Sequence, residues 1–213
     1  MTSTMRFDRL ENSIGTVGLD VINVPSRAEV GLSPITPSSV TVGSGSASVD
    51  SSGLVTFSGC TTVTVNGVFS STYSNYRVVM DGTLAADNGI RMRMDNFTGA
   101  NYAWQWVRAY GTTVQALNET ANAAGIYITS GDSDGLSFTA DVFSPNKAAR
   151  TNLTFQGFGS SGVDFIYVGS GQVTTTTQYT GATLVPNGGT TVILWIQIRT
   201  TDGHYRSTTI TNS

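Results

Sequence analysis

The chain of 213 residues has one cysteine, one histidine and one lysine, and charged residues make up only 12% of it. Each scarcity closes off some chemistry. A lone Cys60 cannot form an intrachain disulfide, and without a CxxC pair or a Cys/His cluster there is no ligand set for zinc. A reducing compartment of synthesis, the cytoplasm, is the expectation that follows. Lys147 is the only lysine, the arginines are scattered, and the net charge is −3 with a pI near 4.9. Nucleic-acid backbones need clustered cations, so no nucleic-acid partner is expected. No run of 18 apolar residues occurs, so no membrane-spanning helix is expected. Arg6, Asp8, Arg9 and Glu11 interrupt the place where a signal peptide would carry its apolar core, so secretion by the standard route is not expected either. The sequons at Asn96, Asn118 and Asn152 then read as chance in a chain rich in Asn and Thr.

What is abundant is Gly, at 24 residues, together with Ser, Thr, Asn and β-branched residues. Hydroxyls and amides in place of Glu and Lys are the surface of an all-β protein. Composition divides the chain into an apolar peptide (1–24), a Ser/Pro/Gly-rich linker (25–50) with Pro25, Pro34 and Pro37, and a β-rich head (51–213). In the head the hydrophobic period is two. Ile90, Met92 and Met94 alternate with Arg91, Arg93 and Asp95, and Leu136, Phe138, Ala140 and Val142 alternate with Ser137, Thr139 and Asp141. Further strand-like runs are 54–57, 62–65, 76–81, 102–110, 151–158, 164–173 and 190–199, with turn clusters between them. The last run, TTVILWIQIR, is apolar on both faces and is placed centrally. Residues 116–125 (ALNETANAAG) are the one candidate helical turn. The fold class expected is all-β, an antiparallel sandwich with a jelly roll as leading topology, preceded by an extended anchor and linker.

Few motifs carry chemistry. GFGSSG (157–162) matches a dinucleotide fingerprint, but strand follows it where a helix would have to open, so it reads as a hairpin. SGDSDG holds Asp132 and Asp134 at calcium-loop spacing without the closing Glu, so it reads as an Asx turn and no metal is expected. His204 follows a DG turn with no nucleophile elbow in the chain. Asp81, Asp95, Asp141 and Asp164 are available for glycoside hydrolysis, yet nothing pairs any two of them. No enzyme activity and no cofactor is expected.

The aromatics carry more. In NYAWQWVRAY alternation puts Tyr102, Trp104 and Trp106 on one face. Two uses fit: packing in a sandwich core, or a platform on which sugar rings stack. Tyr73, Tyr179 and Tyr205, read as exposed loop residues, suit contact with surface carbohydrate.

The segment 57–82, FSGCTTVTVNGVFSSTYSNYRVVMDG, resembles a pattern near the start of the β-domain in bacteriophage tail-fibre and minor tail proteins. Val68, Phe69, Thr72, Tyr73, Asn75, Tyr76, Arg77 and Val78 carry it. ADVFSPN (140–146) is similar to a second segment of the same proteins. The N-terminal peptide is similar to the one that opens many phage fibres, with Ile14, Gly15, Thr16 and Pro25 matching; the longer VGLDVINV departs from that pattern. The resemblance implies a virion protein, a homotrimer whose N-terminus fixes to other virion structural proteins and whose head meets host cell-surface polysaccharide. Ile14, Val17, Leu19, Val21, Ile22 and Val24 are the anchor candidates, in a strand with no partner of its own that adding to another chain's sheet would satisfy. The rival readings are a head fibre or capsid decoration protein without receptor binding, a polysaccharide depolymerase, and a cellular carbohydrate-binding module.

Overall fold

The computed structural model describes residues 32–86, 88–160, 162–187 and 191–200. The anchor candidates Ile14, Val17, Leu19, Val21, Ile22 and Val24, and also His204 and Tyr205, lie outside the described residues. Strands in chain order are β1 (Ser33–Ile35), β2 (Ser39–Val42), β3 (Ser46–Val49), β4 (Val55–Ser58), β5 (Val63–Asn66), β6 (Asn75–Leu84), β7 (Asn88–Met94) and β8 (Tyr102–Tyr110). They continue with β9 (Thr113–Ala123), β10 (Ile126–Gly131), β11 (Leu136–Phe143), β12 (Thr151–Ser160), β13 (Asp164–Val173), β14 (Ala182–Pro186) and β15 (Thr191–Thr200). There is no helix among the described residues, and every strand pairing is antiparallel.

Two sheets form an antiparallel β-sandwich. The larger has ten strands, in the order β3-β4-β15-β6-β11-β12-β13-β8-β9, with β1 also pairing β15; the smaller runs β10-β7-β14-β5-β2. The alternation read in the sequence is the alternation of burial. Leu136, Phe138, Ala140 and Val142 of β11 face inward, and so do Tyr76, Val78 and Met80 of β6 and Ile90, Met92 and Met94 of β7. Each large side chain fully buried between the sheets contributes about 2 kcal/mol of transfer free energy. β15 lies inside its sheet, with β6 along one edge and β4 then β1 along the other.

Two expectations are corrected. Residues 33–49, assigned by composition to the linker, form β1, β2 and β3 and belong to both sheets. Ser and Thr there fill half-buried or exposed edge positions, where a hydroxyl serves a strand as well as it serves a spacer. The helical turn expected within 116–125 is instead part of β9, whose edge pairs with β8 from Tyr110↔Thr113 to Tyr102↔Ala123. Tertiary pairing overrides the helix preference of Ala, Leu and Glu.

The two sheets approach closely where β10 packs on β12. A Cβ on Gly159 would lie 1.6 Å from the Ser130 carbonyl oxygen, and one on Gly157 3.0 Å from Thr129. These two glycines of GFGSSG are therefore strand residues that let a neighbouring backbone pass, and the chain reverses after them between Ser160 and Asp164.

Two of the segments that carry the phage resemblance, 57–82 and 140–146, meet at one corner; the N-terminal one lies outside the described residues. Phe69 meets Tyr76 edge-on at 4.8 Å, and the Tyr76 hydroxyl accepts the Ser70 N–H at 2.8 Å and donates to the Ser70 carbonyl at 3.0 Å. Ser144 N–H donates to the Ser74 carbonyl at 2.7 Å, and Lys147 reaches the Ser71 carbonyl at 3.3 Å. Ser144 sits at φ 57, in the left-handed region, as this tight exit from β11 requires. The two segments, far apart in sequence, share a structural role.

Candidate functional site

β8 extends its period of two beyond the three aromatics noted in the sequence. Tyr102, Trp104, Trp106, Arg108 and Tyr110 all project from the inner face of the large sheet, with Ala103, Gln105, Val107 and Ala109 on the outer one. The register with β13 places Tyr110 opposite Phe165 and Arg108 opposite Tyr167, whereas Trp106 faces Gly169 and Trp104 faces Gly171. Glycine opposite each indole lets neighbouring side chains pack directly on the sheet backbone: Phe155 lies over Gly169 and Ile126 over Gly171. A Cβ on Gly169 would meet Phe155 at 2.4 Å and the Trp106 Cβ at 2.8 Å. On the other side β9 sets Gln115, Leu117 and Glu119 opposite Arg108, Trp106 and Trp104.

The small sheet ends at β10, so this end of the large sheet overhangs it. Tyr127 of β10 closes the inner wall, its ring 6.0 Å from Trp104 and 6.2 Å from Trp106. The two indoles are parallel within 5°, at 6.1 Å between centroids. Trp106 meets Tyr167 edge-on at 5.3 Å, and Tyr110 stacks on Phe165 at 5.0 Å. The Arg108 guanidinium carbon lies 5.3 to 5.9 Å from the rings of Phe165, Tyr110, Trp106 and Tyr167, within the range of cation–π attraction. The result is a ledge: Trp106 is 6% exposed, Trp104, Tyr127 and Arg108 are half-buried, and Leu117 is 51% exposed at the lip.

Polar bookkeeping marks the same place. Five buried side-chain atoms have no hydrogen-bond partner among the described residues, and three of them, Trp104 Nε1, Trp106 Nε1 and Arg108 Nε, belong to this cluster. Buried donors are paired in the large majority of cases. Three of the five fall together in this one aromatic cluster, where each lies closed to solvent behind the neighbouring rings. Aromatic faces with a few placed donors are the composition of a small-molecule site.

The other sequence candidates do not join the ledge. Tyr102 is fully buried, its hydroxyl donating to the Phe97 carbonyl at 2.9 Å and accepting Met94 N–H at 3.1 Å; burial raises its pKa well above the ordinary tyrosine value. Tyr179, expected in an exposed loop, is 2% exposed. Its ring packs 6.2 Å from Phe97 and its hydroxyl bonds Thr175 at 2.6 Å, because Pro145 and Asn146 bind its backbone and pull it inward. Tyr73 is half-buried against Tyr76. The sequence reading missed Arg108 and Tyr110, which the period of two already placed beside Trp106, and Tyr127, which a bulge in another sheet brings in without any sequence signal.

Two of the four carboxylates considered for hydrolysis are engaged by other groups. Asp141 holds Arg77 through two hydrogen bonds of 2.7 and 2.8 Å, and Asp95 accepts from the Thr180 amide at 3.1 Å. Asp132 accepts the Asp134 N–H at 2.8 Å, closing the Asx turn anticipated there, and among the described residues no group of acids, Cys or His could hold a metal ion.

The outer face of the same strands is a second surface. Gln105, Val107 and Ala109 of β8, Ile166, Val168, Ser170 and Gln172 of β13, and Asn152, Thr154, Gln156 and Phe158 of β12 are uncharged, and Asp164 at the start of β13 is the charged exception on this face. Val168 is 55% exposed and Ile166 57% exposed, and hollows of 580 and 410 Å³ lie along this face.

No family model, no curated protein and no solved structure matches this chain. The ledge and the sequence resemblance therefore carry the functional reading.

Proposed function

We propose that the chain is a bacteriophage virion protein, a homotrimeric fibre or spike, whose β-sandwich head attaches to host cell-surface glycans through the Trp104–Trp106–Tyr127 ledge. Attachment is non-enzymatic, and residues 1–24 dock on other virion proteins. The virion placement rests on the sequence resemblance. The glycan reading rests on one observation: two parallel indoles at the overhanging end of the large sheet, Trp104 half-buried and Trp106 packed behind it, with Nε1 donors that have no partner among the described residues. Sugar rings present C–H faces to aromatic planes and oxygens to N–H donors, and the ledge offers both. Three copies on one tip would turn weak single-site contacts into firm attachment.

Titrating intrinsic tryptophan fluorescence with host surface polysaccharide tests this. The wild-type chain is expected to show saturable quenching, and Trp104→Ala combined with Tyr127→Ala to weaken binding about tenfold or more, as loss of interface aromatics does. Undiminished adsorption of the double variant to host cells would sink the reading.

The outer trough favours a second reading. A largely uncharged face with exposed Ile166 and Val168 suits contact with another protein, as a head fibre or capsid decoration protein without receptor duty would need.

A further inference from the structure

We infer that the ledge selects an acidic sugar, and that Arg108 receives the anionic group. The inference rests on the glycan reading of the ledge and names the class of glycan.

Arg108 is set apart from the other described arginines by its aromatic surroundings, although Arg91 of β7 also has a buried Nε without a hydrogen-bond partner. Arg77 is neutralised by Asp141 at 2.7 Å. Arg93 gives its Nε to the Ala124 carbonyl. Arg108 instead lies among four aromatic rings, donates to the side-chain oxygen of Gln115 and, at 3.5 Å, to the Tyr167 hydroxyl, and has no carboxylate partner among the described residues. Its Nε is buried without a partner. A guanidinium has five N–H donors in a planar fork that matches a carboxylate. Two neutral acceptors use two of them, so the positive charge is uncompensated and donor capacity remains.

The rings hold this fork in place. Cation–π contacts fix the guanidinium plane without consuming N–H donors, so an incoming anion meets a group that has already lost its rotamer freedom. Trp106 shares the cluster, is 6% exposed and has an unpartnered Nε1 of its own. The other charges around the ledge fit this assignment. Glu119 lies opposite Trp104, at the other end, four residues along β8 from Arg108 or about 13 Å. Asp164 precedes Phe165 and alternates to the opposite face. The ledge is thus polar along its length: a cation at one end, aromatic planes between, and a carboxylate at the other. An acidic residue is oriented by it, with its anion at Arg108 and its hydroxyls toward Glu119.

The test uses the full chain in its native oligomeric state, with tryptophan quenching as readout. The probes are hexamers of galacturonate, of alginate and of hyaluronan, and a sialic acid trimer, each beside its carboxyl-reduced counterpart, and poly(glycerol phosphate) represents a phosphate anion. At least one acidic probe is expected to bind, to lose about tenfold or more on carboxyl reduction, and to weaken with salt. Arg108→Gln is expected to abolish that preference while keeping the residual affinity for the neutral form, and Arg108→Lys to restore part of it. Unchanged thermal melting of both variants confirms that the fold is intact. Binding of poly(glycerol phosphate) alone, lost in R108Q, places the anion at Arg108 but overturns a carboxylate as its source. Equal binding of acidic and neutral forms, or unchanged preference in R108Q, overturns the inference and leaves the glycan reading standing. Failure of every probe, acidic and neutral, to bind overturns both.

Discussion

Strand β11 lies between β6 and β12, and along it every second residue is buried against the five-stranded sheet; β9, at the end of the same large sheet, has residues 113–120 exposed without exception. β11 is paired on both edges and covered on one face. β9 is paired with β8 alone and covered on neither face. Burial is what fixes a strand's register and its contribution to stability. The covered end of the sandwich therefore holds the fold, and the uncovered end is where residues are available to a ligand.

The comparison predicts a gradient of mutational cost. At the covered end, Gly159→Val should be the most damaging, because its Cβ would fall on the Ser130 carbonyl oxygen and push β10 from β12. A loss of about 3 kcal/mol or more is expected, read as a large drop in thermal midpoint. A midpoint near wild type would show that the sheets part there without cost, and the comparison would break.

Tyr102 lies near the boundary between the two regions, and Tyr102→Phe should cost less, about 1–3 kcal/mol, by leaving the Met94 N–H and Phe97 carbonyl unpaired. It also has a pH signature. Because burial raises the folded-state pKa, the folded chain keeps this proton where the unfolded chain loses it, above about pH 10. The stabilisation is whole below that pH and fades as pH rises toward the folded value. Denaturant melts across the alkaline range should show this fade in the wild type and less of it in Tyr102→Phe.

At the uncovered end, Leu117→Ser should change stability by no more than about 0.5 kcal/mol, the ordinary outcome for an exposed position. Chemical denaturation checks it. A large loss would mean that β9 is covered in solution by something else, and would sharpen the second reading of the molecule.

The same gradient decides what could be read from the sequence. All nine strand-like runs anticipated are strands, because each has a buried face and so writes its burial as a period of two. The strands that escaped notice had no such face or hid it, as β14 does, buried almost throughout and so without a period of two. β9 is exposed throughout and is composed of residues that also suit helices; β1 to β3 have Ser and Thr at edge positions; β10 breaks its alternation with a bulge between Tyr127 and Thr129. The ledge was legible in half. Trp104 and Trp106 were visible in YAWQWVRAY, and Arg108 and Tyr110 stood in the same alternation. Their partners Tyr127, Phe165 and Tyr167 arrive by cross-strand register and sheet packing, which one strand's pattern does not encode. Tyr179 shows the reverse case: a polar turn around it suggested a surface tyrosine, and backbone bonds to Pro145 and Asn146 drew it into the core.

The exposure of β9 also has an evolutionary consequence. Gln115, Leu117 and Glu119 line the lip of the ledge, yet the folding of the sandwich asks almost nothing of their side chains. Such positions can be rewritten one at a time without passing through unstable intermediates. On the proposed function, a head built this way can follow a changing cell surface by altering one strand, while the buried face of β11 keeps its residues.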